Sequence, residues 1–302
     1  MQKNLLKLLD LSGEDIIKIL DLGDKMKYEK KNGIPHETLK GKTLAMIFEK
    51  SSTRTRVSFE VGMFQLGGNA LFLNKADSQM GRGESVYDTA NVLSRYCDGI
   101  MIRTFGQDRV EEFAKHSTVP IINGLTDFSH PCQVLADLMT IRETFKKLDD
   151  LHLCYIGDGN NMANSLIVGG LKCGMKVSVA CPKNYEPNKE VLEFAKAYGS
   201  KFVLTQDPFI AAKDADALVT DVWASMGQED EMEQRIVAFK GFQINKEIMA
   251  VANPNAIVQH CLPAHRDEEI SSSVFSDHAD VIFEEAENRL HVQKAIMSLL
   301  MA

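Results

Sequence analysis

The chain has 302 residues, 44% of them hydrophobic and 25% charged, an ordinary globular composition and a length that suits two domains of about 150 residues each. Its formal charge of −8 excludes the broad basic field that nonspecific nucleic-acid binding needs, and no apolar run approaches the ~20 residues that cross a bilayer. The opening stretch MQKNLLKLLD is too short and too charged for a signal peptide, and scattered cysteines without a CxxC pair predict a reduced, cytoplasmic protein.

In chain order, residues 13–30 read as a helix capped by Ser12, with Ile16, Ile17, Ile19, Leu20 and Leu22 near one face. The apolar run 43–48 predicts a buried strand, and 55–66 a helix with Val57, Val61 and Phe64 on one stripe. Between them, Ser51-Ser52-Thr53-Arg54-Thr55-Arg56 sets hydroxyls and two guanidiniums where a strand turns into a helix. Free N–H groups and the positive dipole end attract anions there, and arginine adds a fork suited to phosphate or carboxylate. A capped helix with solvated arginines would explain one hydroxyl but not the unbroken run.

A strand at 70–73, a polar surface loop at 74–84, a helix at 84–96, a strand at 99–103 ending in Arg103, a helix at 109–116 and a strand at 119–123 follow. A long helix at 131–148 closes this series. A second series sets strands 151–156, 176–181, 201–204, 216–220, 256–260 and 280–283 against helices 161–174, 189–199, 230–240 and 245–252, before a last helix at about 286–301. The alternation predicts an α/β fold of two doubly wound parallel-sheet domains, divided near 145–150, with the C-terminal helix crossing back to the first domain. Ligands of such sheets gather at the carboxyl ends of the strands, and polar groups stand at those ends here.

Within Asp127–Gln133, Pro131 sits just inside a helix start, and His130 and Gln133 are one turn apart, able to bind a carbonyl or amide beside Arg103. Gly157–Met162 resembles a dinucleotide fingerprint only superficially: Met162 replaces the third glycine and no acid ends the next strand, so no nicotinamide cofactor is predicted. Asn160 and Asn161 at that helix start suit a carboxylate. Asp221 follows a strand and either receives an ammonium or caps a helix. In His260-Cys261-Leu262-Pro263-Ala264-His265, the ligands are too close in sequence to surround a metal unaided. A histidine-activated cysteine is an alternative reading, as is a constrained Leu262-Pro263 turn that aims the Cys261 and Leu262 carbonyls at an NH₂.

Ser52-Thr53-Arg54-Thr55, His130-Pro131-Cys132-Gln133, Asp221 with Ser225-Met226-Gly227, and His260-Cys261-Leu262-Pro263 together resemble the ornithine carbamoyltransferases, in that family's order and along the whole chain. The resemblance implies a carbamoyl-phosphate-binding domain at 1–147 with helix 286–302, an ornithine-binding domain at 148–285, and an active site in the cleft between them. It implies carbamoyl phosphate and L-ornithine as substrates, citrulline and phosphate as products, no cofactor and no metal, and a role in arginine metabolism, with biosynthesis favoured over breakdown. Ser52, Thr53, Arg54, Thr55 and Arg103 would hold the phosphate. Arg103, Thr55 and His130 would polarise the carbamoyl oxygen. Gln133 and the Cys261 and Leu262 carbonyls would bind its NH₂, within the motif that holds Pro131 and Cys132, with Arg289 completing the pocket. Asn161, Asp221, Ser225 and Met226 would bind ornithine's α-groups, and Cys261 would favour its neutral amine. Gln79 matches a residue that reaches a neighbouring subunit, which implies a homotrimer or a multiple of trimers. Carbamoyl transfer to putrescine or an acylated ornithine, a metabolite-binding regulator and a cysteine hydrolase are the rival readings. No role is assigned to His265.

Overall fold

The computed structural model describes residues 2–77, 79–224 and 229–302. Two compact units divide the chain, Met1–Ala136 with Asn288–Ala302, and Asp137–Glu287. The first series comprises α1 (Gly13–Lys31), β1 (Thr43–Phe48), α2 (Thr53–Gln65), β2 (Asn69–Asn74), α3 (Val86–Tyr96), β3 (Gly99–Arg103), α4 (Gln107–His116), β4 (Ile121–Leu125) and α5 (Pro131–Phe145). The four strands are parallel in the order β2-β1-β3-β4. Leu44–Phe48 and Gly99–Arg103 are buried along their length, as expected of central strands covered on both faces. Serines set the helix starts: Ser12 makes a reciprocal capping box with Asp15, and Ser52 and Ser85 accept from the N–H groups of Thr55 and Asp88.

The second series continues with β5 (His152–Ile156), α6 (Asn161–Lys172), β6 (Lys176–Ala180), α7 (Lys189–Lys196), β7 (Phe202–Thr205), α8 (Pro208–Ala212), β8 (Ala217–Thr220), α9 (Met232–Ala238), α10 (Lys246–Met249), β9 (Ile257–His260), α11 (Ser272–Asp277) and α12 (Ala279–Met301). Its sheet is parallel in the order β7-β6-β5-β8-β9. Both units are therefore parallel-sheet α/β folds. No described helix is long and apolar enough to cross a membrane.

Three expectations differ from the structure. Residues 280–283 are not a strand but the first turns of α12. A short apolar run does not distinguish strand from helix, and no Gly or Pro interrupts 279–302, so one helix continues through it. The stripe Val57, Val61 and Phe64 does not face the core: Val57 is 50% and Phe64 81% exposed. Instead α2 buries Thr55, Phe59, Gly62 and Met63, offset around the helix. The loop 74–84 contains two 3-10 turns, Lys75–Asp77 and Gln79–Arg82. The short helices α8 and α11 were not anticipated, although Asp207 and Ser271 cap them.

From Asn288 onward α12 packs within the first unit. Ser298 Oγ lies 2.6 Å from Thr38 Oγ1, and Lys294 Nζ donates to Gln65 Oε1 at 3.0 Å. Burial pushes the Lys294 ammonium down to about 8. Gly62 permits this approach: a Cβ there would meet Met297 Cε at 2.9 Å and Lys294 Cγ at 3.4 Å. Gly62→Val is therefore expected to lower stability by about 1–3 kcal/mol through overpacking, read as a lower urea midpoint; an unchanged midpoint would contradict the close packing of α2 and α12.

Candidate active site

In the first sheet the order reverses between β1 and β3, and Phe48 pairs in register with Arg103. The carboxyl ends of these strands are the topological switch point where such folds bind ligands. Ser52 caps α2 and also donates its hydroxyl to Thr55 Oγ1 at 3.1 Å. Arg289 Nη2, from α12, donates to the same oxygen at 2.9 Å, and Arg103 Nη1 reaches it at 3.5 Å. Thr55, Arg103 and Arg289 are buried, while Thr53 is exposed on the first turn.

The turn before α5 is set by Thr126, whose Oγ1 accepts from Ser129 N–H at 3.0 Å and donates to Gln107 Oε1 at 2.7 Å. Pro131 then opens the helix. Buried His130 is held well below the ordinary imidazole range, first by loss of solvent and then by the charges of Arg289, Arg103 and Arg54. The four groups thus share one electrostatic environment with His130 neutral. Gln133 is fully buried one turn on. Cys132 donates to the Asn123 carbonyl at 3.5 Å, and burial pushes its thiol up to about 12.

A ring of charged side chains missed in the sequence braces these segments. Glu49, between β1 and the polar run, is paired with Arg109 Nε at 2.8 Å and Lys75 Nζ at 3.6 Å, and accepts from Thr104, next to Arg103. Lys50 pairs with Asp127 and lies 4.2 Å from the Phe105 ring centre. An acid directly after an apolar strand was the available signal for Glu49. Gln79 is exposed, its carbonyl accepting from Glu84 N–H at 3.1 Å.

The second sheet reverses between β5 and β8. Asn160 Oδ1 caps α6 by accepting from Met162 and Ala163, and its Nδ2 donates to Asp221 Oδ2 at 2.9 Å. Asn161 is the first helical residue and only partly buried. Asp221, after β8, accepts through Oδ1 from Val222 N–H at 2.8 Å and from the Cys261 thiol at 3.0 Å. Burial, then the Asp221 charge, raises the Cys261 thiol well above its ordinary value. It is therefore a protonated donor and not a thiolate nucleophile. Arg235 braces the loop by donating to Asp158 and to the Trp223 carbonyl, both at 2.8 Å.

His260 cannot serve Cys261 as a base. Its Nδ1 accepts from Leu262 N–H at 2.9 Å, so its Nε2 carries the proton donated to Glu269 Oε1 at 2.8 Å. This geometry removes the support for the cysteine-hydrolase reading. Leu262 has φ of 56°, and the Leu262-Pro263 bond is cis. Ser225 and Met226 lie outside the described residues.

The carbamoyl-P binding domain of the aspartate/ornithine carbamoyltransferases matches residues 3–143, and the Asp/Orn binding domain matches residues 149–300. The ornithine carbamoyltransferase of Syntrophotalea carbinolica is 58% identical, and that of Methanosarcina acetivorans 54%, each over 100% of both chains. Among solved structures, the ornithine carbamoyltransferase from Pyrococcus furiosus has a TM-score of 0.94 and 52% identity, over 99% of this chain and 96% of that one. The anabolic enzyme from Campylobacter jejuni has a TM-score of 0.93 and 46% identity, over 99% of each chain. The chain belongs to the aspartate/ornithine carbamoyltransferase family.

Proposed function

We propose that this chain transfers the carbamoyl group of carbamoyl phosphate to the side-chain amine of L-ornithine, giving L-citrulline and phosphate. The observation that carries the reading is the buried neutral His130 in the combined field of Arg54, Arg103 and Arg289, with Thr55 receiving two of those guanidiniums. Such a cluster suits an acyl phosphate whose carbonyl needs polarising. Ser52, Thr53, Arg54 and Thr55 hold the phosphate in this proposal. Arg103, Thr55 and His130 face the carbonyl oxygen, and Arg289 closes the pocket. Gln133 and the carbonyls of Cys261 and Leu262 take the NH₂.

Asp221 and Asn161, with Ser225 and Met226, receive the α-ammonium and α-carboxylate of ornithine. The amine lone pair forms the N–C bond, and the tetrahedral oxyanion falls to Arg103 and His130. Collapse breaks the C–O bond, the electron pair leaves with phosphate, and the amine passes its proton to an oxygen of the departing phosphate. An alkylamine of pKa near ~10.4 is mostly protonated at neutral pH, and a dry site beside the uncharged Cys261 thiol favours its neutral form. The proposed setting is arginine synthesis in the cytoplasm, a role in keeping with the relative named as anabolic and with six unbridged cysteines.

A homotrimer, or a multiple of it, is proposed from the exposed apolar surface of Val57 and Phe64 on α2 and of Leu71 on the edge strand β2. In that assembly Gln79, in the turn after β2, reaches a neighbour's site.

Arg54→Ala is expected to reduce citrulline formation by at least a hundredfold, about 3 kcal/mol or more of transition-state stabilisation, with carbamoyl-phosphate binding lost and folding retained. Wild-type turnover in that variant would sink the phosphate assignment, and a parallel assay with putrescine and acylated ornithine separates the acceptors. His130 is expected to show no titration between about pH 6 and 8, because its proton affinity is depressed; an imidazole resonance that moves through that interval would contradict it. Mixing and refolding Arg54→Ala with Gln79→Ala chains should restore activity, since hybrids contain sites with both native residues. Mixtures as inactive as the separate variants would contradict a shared site.

A further inference from the structure

We propose that His265, Glu268 and Glu269 form a binding site for a divalent transition ion of the Zn²⁺ type, separate from the transfer chemistry. All three lie in the segment after β9. One ligand atom from each, an imidazole nitrogen and a carboxylate oxygen from each glutamate, falls within 4.8 Å of the others. The turn that gathers them is fixed by its own backbone: Glu268 N–H donates to the His265 carbonyl at 3.0 Å, and Gln243 Nε2 donates to the Glu268 carbonyl at 2.8 Å. His265 Nδ1 accordingly stands 3.5 Å from Glu268 Oε2.

The independent observation is the state of Glu269. It is completely buried. Its Oε1 accepts from His260 Nε2 at 2.8 Å and from His265 N–H at 2.7 Å, while its Oε2 is shielded and has no hydrogen-bond donor. Glu268 Oε2 is likewise shielded without a hydrogen bond. Among the described residues no lysine or arginine pairs with either glutamate, and the adjacent Arg266 instead lies 4.2 Å from the Phe275 ring centre. A buried carboxylate oxygen with no donor is costly, and a cation is the ligand that relieves that cost while using the imidazole.

A donor set of one nitrogen and two carboxylate oxygens fits Zn²⁺ better than Ca²⁺ or Mg²⁺, which prefer oxygen throughout. Three protein ligands leave a coordination position for water. The Cys261 thiol is committed to Asp221 and is not part of this set. Glu269 would be shared between the ion and His260, whose ring holds Leu262 N–H, so occupancy bears on the segment that carries Cys261.

The test is calorimetric titration of Zn²⁺ into chelator-stripped full-length protein. One saturating equivalent per chain is expected. His265→Ala and Glu268→Gln should each weaken it by at least about tenfold, whereas Cys261→Ser should retain it. Both altered side chains are only partly buried, and circular dichroism checks that the variants remain folded. With Co²⁺ as probe, the spectrum should lack an intense thiolate-to-metal band. Absence of saturable binding, binding unchanged in His265→Ala and Glu268→Gln, or a thiolate band lost in Cys261→Ser would overturn the proposal.

Discussion

Reversal of strand order within each parallel sheet is the constraint on which the functional geometry depends. In the first sheet, connections leave β1 and β3 in opposite directions, so the backbone parts at their carboxyl ends. Helix N-termini and strand ends meet there with polar groups that no neighbouring crossover covers. Ser52 to Thr55 come from one side of this point and Arg103 from the other, joined through the Thr55 hydroxyl. The second sheet repeats the arrangement with a different charge: its switch joins Asn160 after β5 to Asp221 after β8. One architectural rule thus gathers arginines at the switch point of one unit and a carboxylate at that of the other.

Holding these groups requires more than the motifs themselves. Glu49 and Lys50, adjacent in sequence, point their interactions to different partners: Glu49 to Thr104, Arg109 and Lys75, Lys50 to Asp127. Together they tie the β1 end to the β3 end, to the turn before α5 and to the start of the loop that carries Gln79. In the second unit His260 serves a similar purpose. Its backbone N–H donates to Glu285 at 2.9 Å, while its ring bridges Glu269 and Leu262, supporting the left-handed backbone of Leu262.

The parts legible in the sequence were those with short-range causes. An apolar run followed by Ser52 announces a strand and a capped helix, and Pro131 announces the start of α5. The alternation of such signals gave the α/β class. Groups brought together by long-range packing were not legible from local pattern: Arg289 and Thr55 are 234 positions apart, and only the family resemblance paired them with one pocket. Val57 and Phe64 misled because a helical stripe has a period but no label for which side is the core. The segment 280–283 misled because four apolar-rich residues fit two periods. Asn160 was read beside Asn161 as one polar pair, yet capping geometry gives them different work: Asn160 satisfies the helix start and Asp221, leaving Asn161 on the first turn.

Charge economy links these local arrangements to the chemistry. Loss of solvent, and then the charges of three nearby guanidiniums, keep His130 neutral, and a neutral imidazole adds no further repulsion while retaining a donor. In the proposed function the complementary group is a phosphate dianion, whose binding would replace solvent around the arginines with fixed opposite charge. In the second unit, loss of solvent and then the Asp221 charge keep the Cys261 thiol protonated, so the thiol adds no negative charge beside that carboxylate. In the proposed reading, an anion bound among the first unit's guanidiniums would stabilise that unit, by the usual linkage of occupancy to folding. By that linkage, charges that would be a liability in an apolar core would make the stability of the first unit depend on its occupancy.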